Sequence, residues 1–212
     1  MIPLQRAGFV RWFAPPGFLA AAILSLAALV AAIPTPAQQS SLAGQLLIAA
    51  PTMGDPRFVQ TVILMVRHDH SGAMGIVVNR PLGERPLAAL LEALGEKDPG
   101  ALGDVPIFAG GPVQLELGFV IHSAEYRIDG TLDIDGRVAM TSHPQILRDI
   151  GNKQGPKRSL IAFGYAGWGP GQLESELEKR FWFTAPEDAK LVFETDRAKV
   201  WDDAVARRTQ EL

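Results

Sequence analysis

A chain of 212 residues that is 47% apolar and 20% charged has the composition of an ordinary globular protein, long enough for one well-buried domain. Its formal charge of −3 provides no basic excess for nucleic acid. The absence of cysteine excludes disulfides, thiolate metal sites, thiol redox chemistry and a lipid-modified N-terminal cysteine.

The chain opens with Arg6 and Arg11, then an apolar run of 16 residues from Phe18 to Ile33, then Pro34-Thr35-Pro36-Ala37. This is the order of a secretory signal, with small residues at Thr35 and Ala37 that would permit cleavage before Gln38. The run is long for a signal core and short of the ~20 residues that span a bilayer, so residues 1–37 read as a signal peptide or a membrane anchor. No Lys or Arg follows until Arg57, and the positive-inside rule therefore sends residues 38–212 to the periplasm or holds them on the extracytoplasmic side. A misassigned start codon would instead leave the protein in the cytoplasm. Two of the twenty basic residues and none of the twenty-three acids precede residue 38, so the remainder has a formal charge of −5.

From Gly44 onward strand and helix periods alternate without a long polar linker. Gln45 to Ala50, Phe58 to Arg67 and Ala73 to Asn79 are apolar runs bounded by Pro and Gly, and they predict buried strands. Leu87, Leu90, Leu91 and Leu94 predict a short amphipathic helix closed by Gly95. After a loop over 96–105, Pro106 to Ala109 and Leu117 to His122 return to strand character. Asp129-Gly130 and Asp135-Gly136 predict a meander over 124–141. Ser142 and Gln145 form a capping-box pattern for a helix from His143. Arg158 to Tyr165 predicts another strand, and a helix from Gly171 to Phe183 would carry Leu173, Leu177 and Phe181 on its apolar face, with Glu176 and Arg180 paired on the wet one. A last helix near Arg197 to Arg208 would bury Val200, Trp201, Ala204 and Val205. The irregular order argues for an α+β fold over a doubly wound parallel sheet.

Four segments carry a family likeness: Gly44-Gln45-Leu46-Leu47-Ile48-Ala49, Gly72-Ala73-Met74-Gly75-Ile76-Val77-Val78-Asn79-Arg80-Pro81, Gly110-Gly111-Pro112-Val113, and Phe163-Gly164-Tyr165-Ala166-Gly167-Trp168-Gly169-Pro170-Gly171. Together they resemble the YqgE/AlgH family of small bacterial proteins, over about residues 41–205. The resemblance implies a single domain with a mixed, mostly antiparallel, barrel-like sheet flanked by helices. It implies no settled molecular function, although one branch carries a transcriptional-regulator label. Family members commonly have an Asn before Trp182, where this chain has Lys179-Arg180-Phe181.

The Gly-rich segment from Tyr165 to Gln172 could present backbone N–H groups to an anion. It lacks the Lys-Ser or Lys-Thr of a P-loop and the spacing of a dinucleotide fingerprint. Glu174 and Glu176 would repel a phosphate, so packing glycines sealed by Trp168 are the favoured account. His68-Asp69-His70, His122 and Asp55 show no established metal spacing, and no metal or cofactor is assigned. Ser142 is consumed by capping and Ser123 lacks an evident base, so no catalytic residue is assigned. The convergence of strand ends at Gly110, Gly111, His122, Tyr165, Trp168 and Gln172 is the expected surface for a ligand or partner. Function therefore reads as a non-enzymatic binding or scaffolding module for an unknown protein or small molecule. An enzyme acting at the Gly-rich surface, and a transcription-linked regulator without direct DNA contact, are the alternatives.

Overall fold

The computed structural model describes residues 41–208 apart from 98, 100 and 101; the leader read over residues 1–37 lies outside them. Ten strands form one sheet: β1 Gln45–Ala49, β2 Val62–Asp69, β3 Gly72–Val77, β4 Pro81–Pro86, β5 Asp104–Ala109, β6 Val113–Ser123, β7 Leu132–Asp133, β8 Val138–Thr141, β9 Ser159–Trp168 and β10 Trp182–Pro186. Five short helices accompany it: α1 Leu87–Ala93, α2 Gln145–Gly151, α3 Gln172–Glu178, α4 Ala189–Phe193 and α5 Val200–Ala206. The sheet runs β10-β1-β2-β3-β9-β6-β8-β7, with β5 on β9 and β4 on β5 as a branch. Every pairing is antiparallel except β5 with β9. The α+β class is as the sequence implies, with the sheet curled into a half-barrel flanked by helices.

The long apolar runs are explained by burial on both sheet faces, because alternate residues of a strand point to opposite sides. Leu46, Ile48, Leu64 and Ile76 join a core that draws on every strand except β4 and β7 and is covered by α4 and α5 through Leu191, Val192, Val200 and Ala204. Their neighbours Leu47, Ala49, Ile63 and Val77 face the other way, onto Trp168, Trp182 and Leu173 of α3. A third cluster holds α1 and α2 against β5, β6 and β9 through Leu87, Leu91, Ile107, Val120, Ile146 and Ile161.

Several predicted bounds shift. Residues 58–61 form a turn ahead of β2. Leu94 is the C-cap of α1 and exposed, because the helix stops one residue before it. The capping box does not form: Gln145 N–H donates to His143 Nδ1, while the Gln145 side chain serves Asp149 and Arg148. The helix expected to reach Phe183 stops at Glu178, Arg180 turns the chain at φ 57°, and β10 begins at Trp182. Glu176 does not pair with Arg180; its Oε2 accepts from the indoles of Trp168 and Trp182 at 2.9 and 2.8 Å. No helix among the described residues is long and apolar enough to cross a membrane.

Candidate functional site

β9 changes partner along its length. Residues Ile161–Phe163 pair with β5, and Ala166–Trp168 pair with β3. Between them the chain leaving β5 must cross β9, and Gly110 and Gly111 make that crossing. Gly110 N–H donates to Phe163 O at 2.7 Å, and Gly110 O accepts from Val77 N–H at 2.8 Å. A Cβ on Gly111, at φ 153°, would overlap the Tyr165 carbonyl. Gly164 faces it at φ 74°, where a Cβ would meet Gly111 O at 2.5 Å and Val113 O at 3.0 Å. Backbone contact of this closeness is possible only for glycine. The structure thus brings Gly110, Gly111 and Tyr165 together, as the sequence implies, at a junction built by packing.

His122 is not at this junction. It pairs with Ser159 at the opposite end of β9, six residues from Tyr165 along the strand and so about 20 Å away. Its ring is fully buried and its hydrogen bonds run in one direction. Nδ1–H donates to Ser123 O at 3.0 Å, which leaves Nε2 to accept from Thr141 Oγ1 at 2.9 Å. Thr131 then donates to Thr141 and accepts from Ile128 N–H. Burial holds the imidazole below its ordinary pKa, in keeping with this neutral arrangement. His122 therefore leaves the candidate surface.

Trp168 is also a packing residue. Only 7% exposed, it meets Trp182 edge-on at 5.9 Å and hands its N–H to Glu176. Gln172 is exposed, but its Oε1 accepts from Gly169 N–H at 3.1 Å and its Nε2 donates to Glu176 Oε1 at 2.9 Å, closing the turn before α3. Glu174 accepts from His68 Nε2–H at 2.8 Å, and His68 Nδ1 accepts from Leu42 N–H, fixing the ring's tautomer. The donors and carboxylates around the Gly-rich turn thus satisfy one another. His70 is exposed and apart from this pair, and no three metal-ligating side chains gather among the described residues.

What stands free at the junction is a feature the sequence pattern did not reveal. Val113 pairs with Tyr165 and Gly118 with Phe163, so β6 uses five residue steps where β9 uses two. The surplus forms a bulge in which Gln114 takes φ 49° and Leu115 and Leu117 are 63% and 41% exposed. Leu115 Cδ2 lies over Gly164. A bulge re-aims side chains at a sheet end, and here it turns two leucines outward.

Asn79 and Arg80, which follow β3, are tied by their side chains to the turn before β2. Asn79 Oδ1 accepts from Val62 N–H and Nδ2 donates to Gln60 O; Arg80 Nη2 donates to Val59 O and Thr61 Oγ1, each at 2.8 Å.

The AlgH-like family model matches residues 46–212. A UPF0301 protein of Jannaschia sp. (strain CCS1) is 46% identical over 166 residues, covering 77% of this chain and 86% of that protein. A UPF0301 protein of Rhodospirillum rubrum is 44% identical, covering 78% and 86%. The solution structure of the AlgH protein from Pseudomonas aeruginosa superposes with a TM-score of 0.70 at 40% identity, over 82% of this chain and 92% of that one. A crystal structure of a Corynebacterium diphtheriae protein shares the fold at a TM-score of 0.59 and 23% identity, over 79% and 87%. With the glycine junction, the curled sheet and this length of matching sequence in agreement, the chain belongs to the AlgH-like family.

Proposed function

We propose that the chain is a non-enzymatic binding or scaffolding module that offers the β6 bulge to a protein partner. One observation carries the reading: Leu115 and Leu117 are exposed on a bulge whose base, at Gly111, Gly164 and Tyr165, is locked backbone to backbone. The left-handed Gln114 costs folding free energy and the two exposed leucines return none, and such features are retained where a surface must recognise something. The polar groups beside the bulge are engaged internally, which suits a surface that holds a partner more than one that transforms a substrate.

Photo-crosslinking residues placed at 115 and 117 in cells should give discrete adducts that a control at exposed Asp203 does not. The Leu115→Ser, Leu117→Ser double variant should lose those adducts when the crosslinker sits at 113, with stability changed by no more than ~0.5 kcal/mol. Adducts no stronger than the control would overturn the reading. We also propose that residues 1–37 direct the domain out of the cytoplasm. A mature chain starting at Gln38, or a membrane-bound full-length chain, agrees with that; a cytosolic protein starting near Ser40 does not.

A further inference from the structure

We propose a second, separate site: a cleft of about 300 Å³ between the β3–β4 corner and the start of α5 that binds a small anion, the phosphoryl or carboxylate group of a small molecule. Its walls include Gln60, Asn79, Arg80, Arg197, Trp201 and Asp202. The argument rests on the two arginines. Arg197 is half-buried, and its Nη1 donates to the carbonyls of Val78, Leu191 and Val192 at 3.3, 3.4 and 2.7 Å. Its guanidinium lies over the Phe108 ring, 5.5 Å from the centroid. Arg80 is likewise held through Nη2 by a carbonyl and a hydroxyl.

Neither guanidinium has a carboxylate within 4 Å among the described residues, whereas Arg57, Arg137, Arg148 and Arg158 each do. A guanidinium keeps its charge in a protein, and a partly buried cation is ordinarily paired. Here each side chain is anchored through one nitrogen to neutral oxygens, leaving its remaining donors without a protein partner among those residues. Two anchored arginines in the wall of one cleft are pre-organised for an oxyanion, to which the free donors of both can make charge-assisted hydrogen bonds. Trp201 is fixed too, its indole N–H donating to Ala49 O at 2.9 Å, and it gives the cleft an aromatic wall for an apolar part of the ligand. Asp202, exposed at the rim, opposes an anion. That opposition supplies a test.

The full-length chain is titrated with inorganic phosphate and with acetate, against chloride at matched ionic strength, following backbone and arginine side-chain resonances by NMR and the thermal midpoint in parallel. Saturable shifts confined to the cleft and a rising midpoint are expected with at least one anion, since a ligand of the folded state stabilises it. The tighter of the two identifies the class. Arg80→Gln and Arg197→Met should each weaken binding about tenfold. Asp202→Asn removes a rim charge outside the fold's own hydrogen bonds and should strengthen it about threefold. If an arginine variant does not fold, Asp202→Asn still decides. No saturable response beyond chloride, or affinities that Asp202→Asn leaves unmoved, overturns the site. None of these readouts involves the β6 bulge, so the two proposals fail separately.

Discussion

Glu187 and His122 are both buried, and their proton affinities are displaced in ways that make pH act on the fold in opposite senses. Among the described residues the Glu187 carboxylate accepts no hydrogen bond; its nearest compensation is the Arg137 guanidinium at 3.1 Å, which Asp135 shares at 3.0 Å. Burial, reinforced by Asp135, raises its pKa. A raised folded-state pKa means that the stability due to the protonated form is complete below the ordinary glutamate range and is lost as pH rises through the folded value. Glu187→Gln should therefore stabilise the protein at pH 7, by ~1 kcal/mol, with the gain vanishing toward pH 4. His122 behaves in the reverse way, because burial lowers its pKa: its contribution is complete above the ordinary histidine value near 6.5 and is lost as pH falls toward the folded one. Urea melts between pH 4 and 8 should show that the stability difference between wild type and His122→Gln is largest above pH 6.5 and shrinks as pH falls below it, while the opposite Glu187 contribution is common to both proteins. At Gly164 the issue is steric. Gly164→Ala should cost ~2 kcal/mol, from left-handed backbone and the clash with Gly111 O, while Gly169→Ala, with its nearest atom at 4.0 Å and no positive φ, should change stability by less than ~0.5 kcal/mol. Spacing alone does not say which glycine of the cluster sits at positive φ: Gly164 and Gly171 do, Gly167 and Gly169 do not.

Helix ends explain much of what the sequence conceals at the level of elements. α1, α2 and α3 all close with the same pair of bonds: Gly95 N–H to Glu92 O with Glu96 N–H to Leu91 O, Lys153 N–H to Ile150 O with Gln154 N–H to Asp149 O, and Arg180 N–H to Leu177 O with Phe181 N–H to Glu176 O. This is the Schellman arrangement, whose turning residue is left-handed. Only α1 marks it with glycine, so its end is legible in the sequence; α2 and α3 place Lys153 at φ 60° and Arg180 at φ 57°. Reading α3 through Arg180 then hides β10, since Trp182 and Phe183 fit a helical stripe as readily as a strand. Arg180→Gly should stabilise the fold by ~0.5–1 kcal/mol by relieving the left-handed strain, as measured by thermal melting. β1, β2, β3 and β9, in contrast, are legible because both of their faces are buried and their apolar runs are continuous, whereas β4, exposed throughout, carries no such run and escapes the sequence reading. α3 itself is pinned by Glu176, which takes an indole N–H from β9 and another from β10. Glu176→Ala leaves two indole donors without their acceptor and should cost ~2–3 kcal/mol, with tryptophan fluorescence shifted to the red as water reaches Trp168 and Trp182.

For the molecule as a whole, the sequence locates the glycine junction and the α+β half-barrel but not the two surfaces proposed for binding. Gly110, Gly111 and Tyr165 are expected from the sequence to meet as strand ends and do meet, as a backbone crossing, whereas the β6 bulge arises from a register difference with β9, and the Arg80–Arg197 cleft joins residues more than a hundred positions apart. Neither of those is a local pattern. Charge, by comparison, is fully legible, and it bears on the regulator label carried within the family. Residues 38–212 have a formal charge of −5. Many of the arginines that remain are neutralised locally, Arg57 by Asp55, Arg148 by Glu96 and Arg158 by Glu194. Duplex DNA is bound chiefly by cations that replace its counterions, so affinity without a basic stripe has little to draw on. The two cleft arginines, without a carboxylate partner among the described residues, are partly buried and can meet one anionic group, not a phosphate backbone. Fluorescence anisotropy with a 20-base-pair duplex should accordingly show no saturable binding up to ~10 μM protein at ~50 mM salt, a condition that favours even non-specific association. Binding tighter than ~1 μM that falls steeply as salt is raised would mean that the field of the molecule is organised differently from its net charge, and would restore direct DNA contact to the functions in play.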